Sequence, residues 1–267
     1  MSRSSPIVWQ LSIAAIDSSI SIVNPPKPGV PRQSLLHPNC AIQGSEGMHV
    51  PLERYHATIV RESRNPQLVA SLLRLRRKLF VEECGWELAS RGGLERDEFD
   101  TGLTEHCLLF RDDKLIGGFR AIRTDRPYLS ATIFPQLATI KPYPRRPDVW
   151  EISRFGVLPM ARRLEAARMN YALMFRFAQL RLATALVATA EPPYERFLAS
   201  LGIRSHRFGV PQVIGADRDG CDIMAVAGEI PINQQDGDRR YHALKIMSDK
   251  LEVEDAAYVF GRALISA

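Results

Sequence analysis

Residues 150–157 have the composition of a buried strand but carry two opposite charges, Glu151 and Arg154. Aromatic and β-branched residues favour a strand, whereas a buried charge is costly unless it is paired or faces a cleft. With a period of two, Glu151 and Ser153 share one face and Arg154 lies on the other, so both charges reach one site only through a bulge. We therefore predict a kink in this strand. The two charges fit either a cross-strand ion pair or a catalytic pair.

Strand and helix patterns alternate around this stretch. An Asn-Pro start at residue 65 and Gly85 at the other end bound a helix over 66–84, and two apolar runs flanking a charged turn form a hairpin. The predicted strands are 55–60, 106–110, 115–122, 150–157, 184–189, 208–214 and 221–230, and the other helices are 161–182 and 192–201. This order predicts an α/β protein with a single mixed β-sheet flanked by helices.

Composition divides the chain into three parts. Residues 1–50 carry few charges and six prolines, which predicts a flexible extension without a core of its own, and Met48 is an alternative start for the folded protein. The folded domain is expected over 51–230. Residues 231–267 are expected to form a charged, weakly helical C-terminal tail.

The net charge of +5 favours an acidic partner, and nucleic acid, an acidic carrier protein and anionic lipid all satisfy it. The four cysteines have no CxxC spacing, so neither a zinc site nor a disulfide framework is predicted, and reduced thiols indicate the cytoplasm. No apolar run approaches the roughly 20 residues that cross a bilayer. We expect neither a metal nor a membrane partner.

Three charged features have both a structural and a functional interpretation. Arg76 falls on the apolar stripe of the first helix, either as a snorkelling side chain or as a ligand. The acidic segment after Trp86 is too long for an ordinary connection and is either solvated or a substrate-binding loop. The helix over 161–182 has an arginine-rich face that is either solvated or a dock for an acidic partner. Its predicted outward residues are Arg162, Arg163, Arg168, Arg176 and Arg181, and its inward ones include Leu164.

Known nucleotide and zinc motifs are missing from the sequence, since it contains no Walker loop, GxGxxG or HExxH. The order of strands and helix resembles the GNAT-like acyltransferases, which are three-layer α/β/α sandwiches with a glycine-rich turn after the central strand. No glycine occurs here between Gly156 and Gly202. A backbone cradle for diphosphate is therefore not predicted, although a pantetheine arm fits beside the sheet.

A set of charged and aromatic residues occurs in a fixed order between about residues 53 and 230. It comprises Arg76, Phe80 and Trp86, then Asp97 and Asp100, then Arg120, then 127–129 with Phe134 and Pro135, and finally Glu151, Ser153, Arg154 and Phe155. In this order and spacing the chain resembles the acyl-homoserine-lactone synthases, the LuxI-type autoinducer synthases. The resemblance makes 51–230 the catalytic domain.

The resemblance implies transfer of an acyl group from acyl carrier protein or acyl-CoA to the amine of S-adenosylmethionine, followed by lactonisation. S-adenosylmethionine is a substrate, so no cofactor is expected. Its sulfonium suits the aromatic faces of Phe80 and Trp86, and its carboxylate suits Arg76 and Arg120. The expected catalytic residues are Glu151, Asp100 and Arg154, with Glu151 as the base. The substrate-binding residues are Arg76, Phe80, Trp86, Asp97, Arg120 and Phe134. Asp97, Asp100 and Glu151 are alternatives for binding the ammonium, and Asp100 and Arg154 have structural interpretations too.

The acyl chain is expected to lie against Met174, Phe175, Leu186 and Ala188. Ala190 aligns with a threonine of relatives that make 3-oxo products, which argues against such chains. Two other function classes remain: a related N-acyltransferase that acylates another amine, and a basic adaptor for nucleic acid. A nucleic-acid adaptor would need exposed aromatic residues among the arginines of the 161–182 helix. The aromatic residues of that helix fall mainly on its inward face, so no nucleic-acid partner is expected.

Overall fold

Eleven strands and five α-helices lie within residues 54–159, 163–216, 220–235 and 237–258, which the computed structural model describes. The strands are β1 (Tyr55–Val60), β2 (Ser90–Arg91), β3 (Leu94–Glu95), β4 (Glu105–Arg111), β5 (Lys114–Arg123), β6 (Val149–Val157), β7 (Ala185–Ala190), β8 (His206–Arg207), β9 (Gln212–Ala216), β10 (Asp222–Pro231) and β11 (Glu252–Asp255). The helices are α1 (Pro66–Arg76), α2 (Leu129–Ile133), α3 (Arg163–Leu180), α4 (Pro192–Ser200) and α5 (Arg239–Lys250). A π-helical segment, Arg77–Glu83, extends α1, and 3₁₀ turns lie at Pro135–Leu137 and Ile232–Gln234.

One mixed sheet of nine strands divides the molecule into layers. Eight strands follow the order β11-β1-β4-β5-β6-β7-β10-β8, and β9 pairs with β10. The β1–β11 and β6–β7 pairs are parallel, and the other pairs are antiparallel. One buried apolar cluster lies between the sheet and α3, and a second lies on the opposite face under α1. The predicted single mixed sheet with helices on both faces is confirmed.

The first helix begins where the sequence predicts. The Asn65 side chain accepts a hydrogen bond from the Leu68 amide at 3.0 Å, and Pro66 occupies the first turn. The predicted extent to residue 84 is also right, but the second half is wound as a π-helix. Such segments are rare and recur at functional sites. Gly85, at φ +72°, ends the helix and turns the chain towards Trp86.

In the hairpin of β4 and β5, the two backbones come close together at Gly117 and Gly118 of β5. A Cβ on Gly118 would lie 2.2 Å from the carbonyl oxygen of Cys107, and its φ of +152° is unfavourable for other residues. The register of β5 against β6 shifts between Gly118 and Arg120. On β6, Arg154 has a φ of +55°. The predicted kink in β6 is therefore present and turns Arg154 to the face of Glu151.

The central strands β6 and β7 separate soon after they begin. They pair only from Val149 with Ala185 to Glu151 with Val187. Beyond these three pairs each strand continues without the other, which opens a gap in the middle of the sheet. The kink and the gap lie on the same length of β6.

The segment after residue 231 differs from the predicted tail. Helix α5 packs on α3, and β11 pairs with β1 in parallel. Leu244, Leu251 and Ala257 are buried in the core beneath α3. A charged strand of four residues has no apolar alternation, which is why the sequence does not indicate β11, yet it covers the edge of β1. Residues 237–258 are thus part of the folded unit, whereas 1–50 lie outside the described residues.

Two predictions for α3 are wrong. Leu164, predicted inward, is 52% exposed in the first turn, because periodicity does not locate where a helix first meets the sheet. Arg181, predicted outward, has a 7% exposed side chain and pairs with Glu105 and Asp255 at 2.6 Å, because α3 ends at Leu180 and the next turn points it inward. Arg168 is exposed as predicted. Arg162 and the side chain of Arg163 lie outside the described part of the chain.

Candidate active site

Three buried arginines from three different elements converge on the α1 face of the sheet. Arg76 ends α1, Arg120 lies after the glycine pair of β5, and Arg154 lies in the kink of β6. Three buried carboxylates from the acidic segment face them. We call these six residues the ionic cluster: Arg76, Glu95, Asp97, Asp100, Arg120 and Arg154. Five of them are at most 8% exposed as whole residues, and the side chain of the sixth, Asp97, is fully buried.

Each carboxylate of the ionic cluster bridges two arginines. Glu95 accepts from Arg76 Nε at 2.5 Å and from Arg154 Nη2 at 3.0 Å. Asp100 accepts from both terminal nitrogens of Arg76, at 2.7 and 2.9 Å, and lies 3.3 Å from Arg120. Asp97 accepts from Arg120 Nη1 and, at 2.9 Å, from Arg154 Nη2. The acidic segment is therefore folded onto the arginines rather than solvated.

Asp97 and Asp100 of the ionic cluster are held in the ionised form. Burial alone would raise the pKa of Asp100, but Arg76 and Arg120 bring it well below the ordinary value. For Asp97, burial is likewise outweighed by Arg120 and Arg154, and its pKa is lowered. Three guanidinium groups thus balance three carboxylates in a site away from water, where removal of one partner leaves an uncompensated charge.

Arg120 retains an unused donor. Its Nε donates to Ser153 Oγ at 3.0 Å and its Nη1 to Asp97, whereas the buried Nη2 has no hydrogen-bond acceptor among the described residues. All three side-chain nitrogens of Arg76 donate to Glu95 or Asp100. A substrate carboxylate can therefore accept a hydrogen bond from Arg120, whereas the side-chain nitrogens of Arg76 are all engaged with Glu95 or Asp100. The two arginines that the sequence suggests for this carboxylate are thus not equivalent.

Glu151 lies on the same face of the sheet as the ionic cluster and is fully buried. Its Oε2 accepts from the Leu129 amide at 3.0 Å and its Oε1 from the Ser130 amide at 2.6 Å. Burial raises the pKa of this carboxyl, and the Ser130 side chain, the two amides and Arg120 oppose that rise. The result is a buried carboxylate with a pKa above its ordinary value beside Arg120.

The expected aromatic residues fall into two places. Trp86 is half-buried and stacks on buried Phe80, with ring centroids 5.1 Å apart and planes 15° apart. One face of the indole is thus covered by Phe80. Phe134 lies elsewhere, at the end of α2, where its amide donates to Ser130 and its carbonyl accepts from Tyr143. Phe134 supports the short helix that binds Glu151 rather than joining the aromatic pair.

An apolar cavity of about 50 Å³ lies on the opposite, α3 face. Met174, Leu186 and Ala188, which the sequence analysis places against the acyl chain, line this cavity, and Ala190 lines it too. Phe175 does not line it; that ring packs against Tyr241 at 5.2 Å. The remaining lining residues are Ile152, Phe155, Tyr171, Tyr194, Leu198 and Ile230.

Several residues of the site are missed by the sequence reasoning. Glu95 is one of several acids in its segment, and nothing in the sequence distinguishes it except that it lies two residues before Asp97, on a strand too short to predict. His106, which pairs with Arg120 across β4 and β5, is buried, and that burial lowers its pKa to about 4, so it is neutral at pH 7. Ser130 and Thr189 lie near Glu151 only after folding.

No group of three or more His, Cys, Asp or Glu side chains within the described ranges is arranged to hold a metal ion. None of the helices that the structure describes is long and apolar enough to cross a membrane.

Comparisons with known proteins agree on one family. A family model described as autoinducer synthase matches residues 61–235. The acyl-homoserine-lactone synthase of Acinetobacter nosocomialis is 36% identical over 160 residues, which cover 56% of this chain and 85% of that protein. The one from Aeromonas hydrophila is 32% identical over 163 residues, covering 59% of this chain and 75% of that protein.

Solved structures give the same result. TofI, in a ternary complex with an inhibitor and MTA, has a TM-score of 0.57 and 30% identity, covering 71% of this chain and 95% of that one. The CoA-dependent acyl-homoserine lactone synthase BjaI, with SAM and isopentyl-CoA, has a TM-score of 0.66 at 22% identity and covers 77% and 95%, which supports the fold.

The mixed sheet opens between two parallel strands, and a buried ionic cluster lies beside the opening. Together with these relatives, this arrangement identifies the protein as an acyltransferase. The chain belongs to the autoinducer synthase family.

Proposed function

We propose that this protein is an acyl-homoserine-lactone synthase. It transfers an acyl group from acyl carrier protein or acyl-CoA to the amine of S-adenosylmethionine, and lactonisation then releases methylthioadenosine. The observation that carries the proposal is the placement of a charged site and an apolar cavity on opposite faces of one sheet, on either side of the gap between β6 and β7. The names of the relatives support the same reaction.

The charge of the site suits S-adenosylmethionine. The ionic cluster and Glu151 together contain three guanidinium groups and four carboxylates, one negative charge in excess. S-adenosylmethionine carries a sulfonium, an ammonium and a carboxylate, one positive charge in excess. The indole face of Trp86 on which Phe80 does not stack suits the sulfonium, and Arg120 Nη2 suits the carboxylate. Because Asp97 and Asp100 are already paired with arginines, we assign the ammonium to Glu151.

Glu151 is the proposed base for the amine. An α-amino pKa near 7.7–8.0 makes deprotonation cost only about 1 kcal/mol at pH 7, so a raised carboxyl pKa is sufficient. The neutral nitrogen attacks the thioester carbonyl carbon across the gap in the sheet. Asp100 and Arg154, which the sequence places among the catalytic residues, each bond to charged partners within the ionic cluster and are proposed to position them.

Incubation with S-adenosylmethionine and a panel of acyl-CoA and acyl-carrier thioesters tests this function. Mass spectrometry is expected to find methylthioadenosine and an acyl-homoserine lactone in equal amounts. An acylated amine without methylthioadenosine would favour the related N-acyltransferase, and no acylated product from any donor would contradict both.

A further inference from the structure

A chain of hydroxyl groups leads away from Glu151. The Ser130 amide donates to Glu151 Oε1 at 2.6 Å, and the Ser130 side chain also interacts with this carboxylate. On the other side, Thr189 Oγ1 donates to Ser130 Oγ at 2.8 Å. Ser130 is fully buried and Thr189 is 3% exposed. These hydroxyl groups therefore form a buried hydrogen-bonded path from the carboxylate of Glu151 to Thr189 on β7.

The far end of this chain lies at the gap in the sheet. Thr189 is two residues beyond Val187, the last residue of β7 that pairs with β6. It belongs to the length of β7 whose β6 side is open, while its other side pairs with Ala227 of β10. Glu151 pairs with Val187 and therefore stands where the gap begins. The two hydroxyls thus connect the candidate base with the open length of β7.

A fully buried base needs a route for the proton that it accepts. In the proposed reaction the amine gives up a proton and the thioester releases a thiolate that needs one. Hydroxyl groups serve as such a route because each one both donates and accepts. With Glu151 ionised, the donors point from Thr189 to Ser130, which is the direction expected before the carboxylate takes up a proton.

We propose that Ser130 and Thr189 relay the proton from Glu151 to the departing thiolate, an inference that rests on the proposed function. Glu151 passes the ammonium proton to water before the acyl donor binds. The lone pair of the neutral amine then forms the C–N bond, the C–S bond breaks with its electron pair on sulfur, and Glu151 takes the second proton, which the nitrogen loses as the amide forms. Glu151 then gives that proton to Ser130, Ser130 gives its own to Thr189, and Thr189 gives its own to the thiolate. Glu151 returns to a carboxylate and both hydroxyls stay neutral.

The choice of leaving group tests the relay. Acyl thioesters of N-acetylcysteamine release an alkyl thiolate that gains from protonation, whereas thioesters of thiophenol release a stable aryl thiolate. Thr189→Val is expected to lower kcat at least about 10-fold with the alkyl thioester and less than about twofold with the aryl thioester. Ser130→Ala should show the same difference, and Thr189→Ser should keep both rates.

A structural role for Thr189 would lower both rates equally, and that result would overturn the relay, as would an unchanged kcat with the alkyl thioester. Thr184→Val is the matched control, because it removes a hydroxyl that lies one residue before β7 and bonds to Asp148, and it should change neither rate. Activity of the wild-type protein keeps the two proposals distinct. If the wild-type protein forms no methylthioadenosine from any donor, the proposed function fails. If the wild-type protein is active and Thr189→Val changes kcat equally with the alkyl and aryl thioesters, only the relay fails.

Discussion

Glu151 combines two environments that act on its carboxyl in opposite directions. Full burial favours the neutral acid, while two amides at the start of α2 and the Ser130 side chain favour the carboxylate. The balance leaves the pKa above its ordinary value, which makes this carboxylate a better base than an exposed glutamate. Glutamine keeps the size of this side chain but removes its charge and one of the two oxygens that accept backbone hydrogen bonds.

Glu151→Gln is expected to lower kcat at least about 100-fold and to leave the KM for the acyl donor within about threefold, since general base catalysis commonly contributes that much. In the wild-type protein, kcat should fall as the pH drops through the raised pKa of Glu151, because protonation removes the base. Steady-state rates of methylthioadenosine release between pH 5 and 9 provide the measurement. A variant that retains the wild-type rate and acid limb would contradict the role of Glu151.

Tyr194 is the largest polar side chain on α4 that lines the apolar cavity. A space of about 50 Å³ suits only a short acyl chain unless side chains move. Tyr194→Ala enlarges the space and is expected to shift the preferred donor to a longer chain, with the kcat/KM ratio of long to short donors changing at least about 10-fold. Tyr194→Phe keeps the volume and is the control. Equal donor preferences in all three proteins would show that this cavity does not select the chain.

Residue-level contacts explain why the candidate site is only partly predictable. The arginines, aspartates and Glu151 occur in a family pattern and are found from sequence alone. Glu95 does not stand out because the acidic segment contains several similar carboxylates, and only the position of β3 decides which one enters the ionic cluster. Ser130 and Thr189 are 59 residues apart and meet only through the sheet.

At the scale of elements, the kink shared by β5 and β6 shapes the site. It turns Arg154 towards Glu95 and Asp97, and it leaves two glycine carbonyls facing α3. The Asn170 side chain donates to both, to Gly118 at 3.3 Å and to Gly156 at 3.4 Å. One amide from a helix thus holds the irregular part of two strands.

Asn170→Leu removes both donors at similar volume and leaves two buried carbonyls unsatisfied. We expect the free energy of unfolding to fall by about 1–3 kcal/mol. We also expect kcat to fall, because the kink that positions Arg154 loses its hydrogen bonds to Asn170. Urea unfolding and steady-state kinetics measure the two effects. Gln179→Leu is the control on the same helix, where a half-buried amide bonds to exposed Asp249 and no change in kcat is expected. Unchanged stability and rate in Asn170→Leu would show that the strands hold the kink unaided.

The kink is also the element that the sequence predicts best, because two opposite charges on a strand of period two reach one site only if the period breaks. Other elements have weaker signals. No residue preference in the sequence indicates the π-helical winding after Arg76, which contains Phe80 and brings its ring against Trp86. Strand β11 pairs with the edge of β1. Because this contact is tertiary, the local sequence of β11 does not predict it.

For the molecule as a whole, a second set of charges joins the last described residues to the core. Glu105 is fully buried and accepts from Arg61 at 2.8 Å, Arg181 at 2.6 Å and Tyr258 at 2.8 Å. Arg181 also pairs with Asp255 of β11. These bonds connect β4, α3 and β11, so the edge of the sheet depends on one buried carboxylate.

Glu105→Ala is expected to lower the free energy of unfolding by about 3–5 kcal/mol, since it leaves buried Arg181 with one partner fewer. The Glu105 side chain bonds to Arg61, Arg181 and Tyr258 and to no residue of the ionic cluster, so the substitution should leave kcat and KM of the folded protein unchanged at low temperature. Glu252→Ala breaks an exposed pair with Arg54 on the same strand edge and should have no measurable effect. Chemical unfolding of the three proteins provides the comparison, and equal midpoints would contradict the importance of Glu105.

The sheet keeps the fixed charges on its α1 face and the apolar cavity on its α3 face, and the gap between β6 and β7 joins the two. Substitutions around the cavity can therefore accumulate without disturbing the salt bridges, because residues that share no partner act almost independently. A lineage built on this architecture is free to change the chemical identity of its signal molecule while its recognition of the sulfonium substrate stays constant.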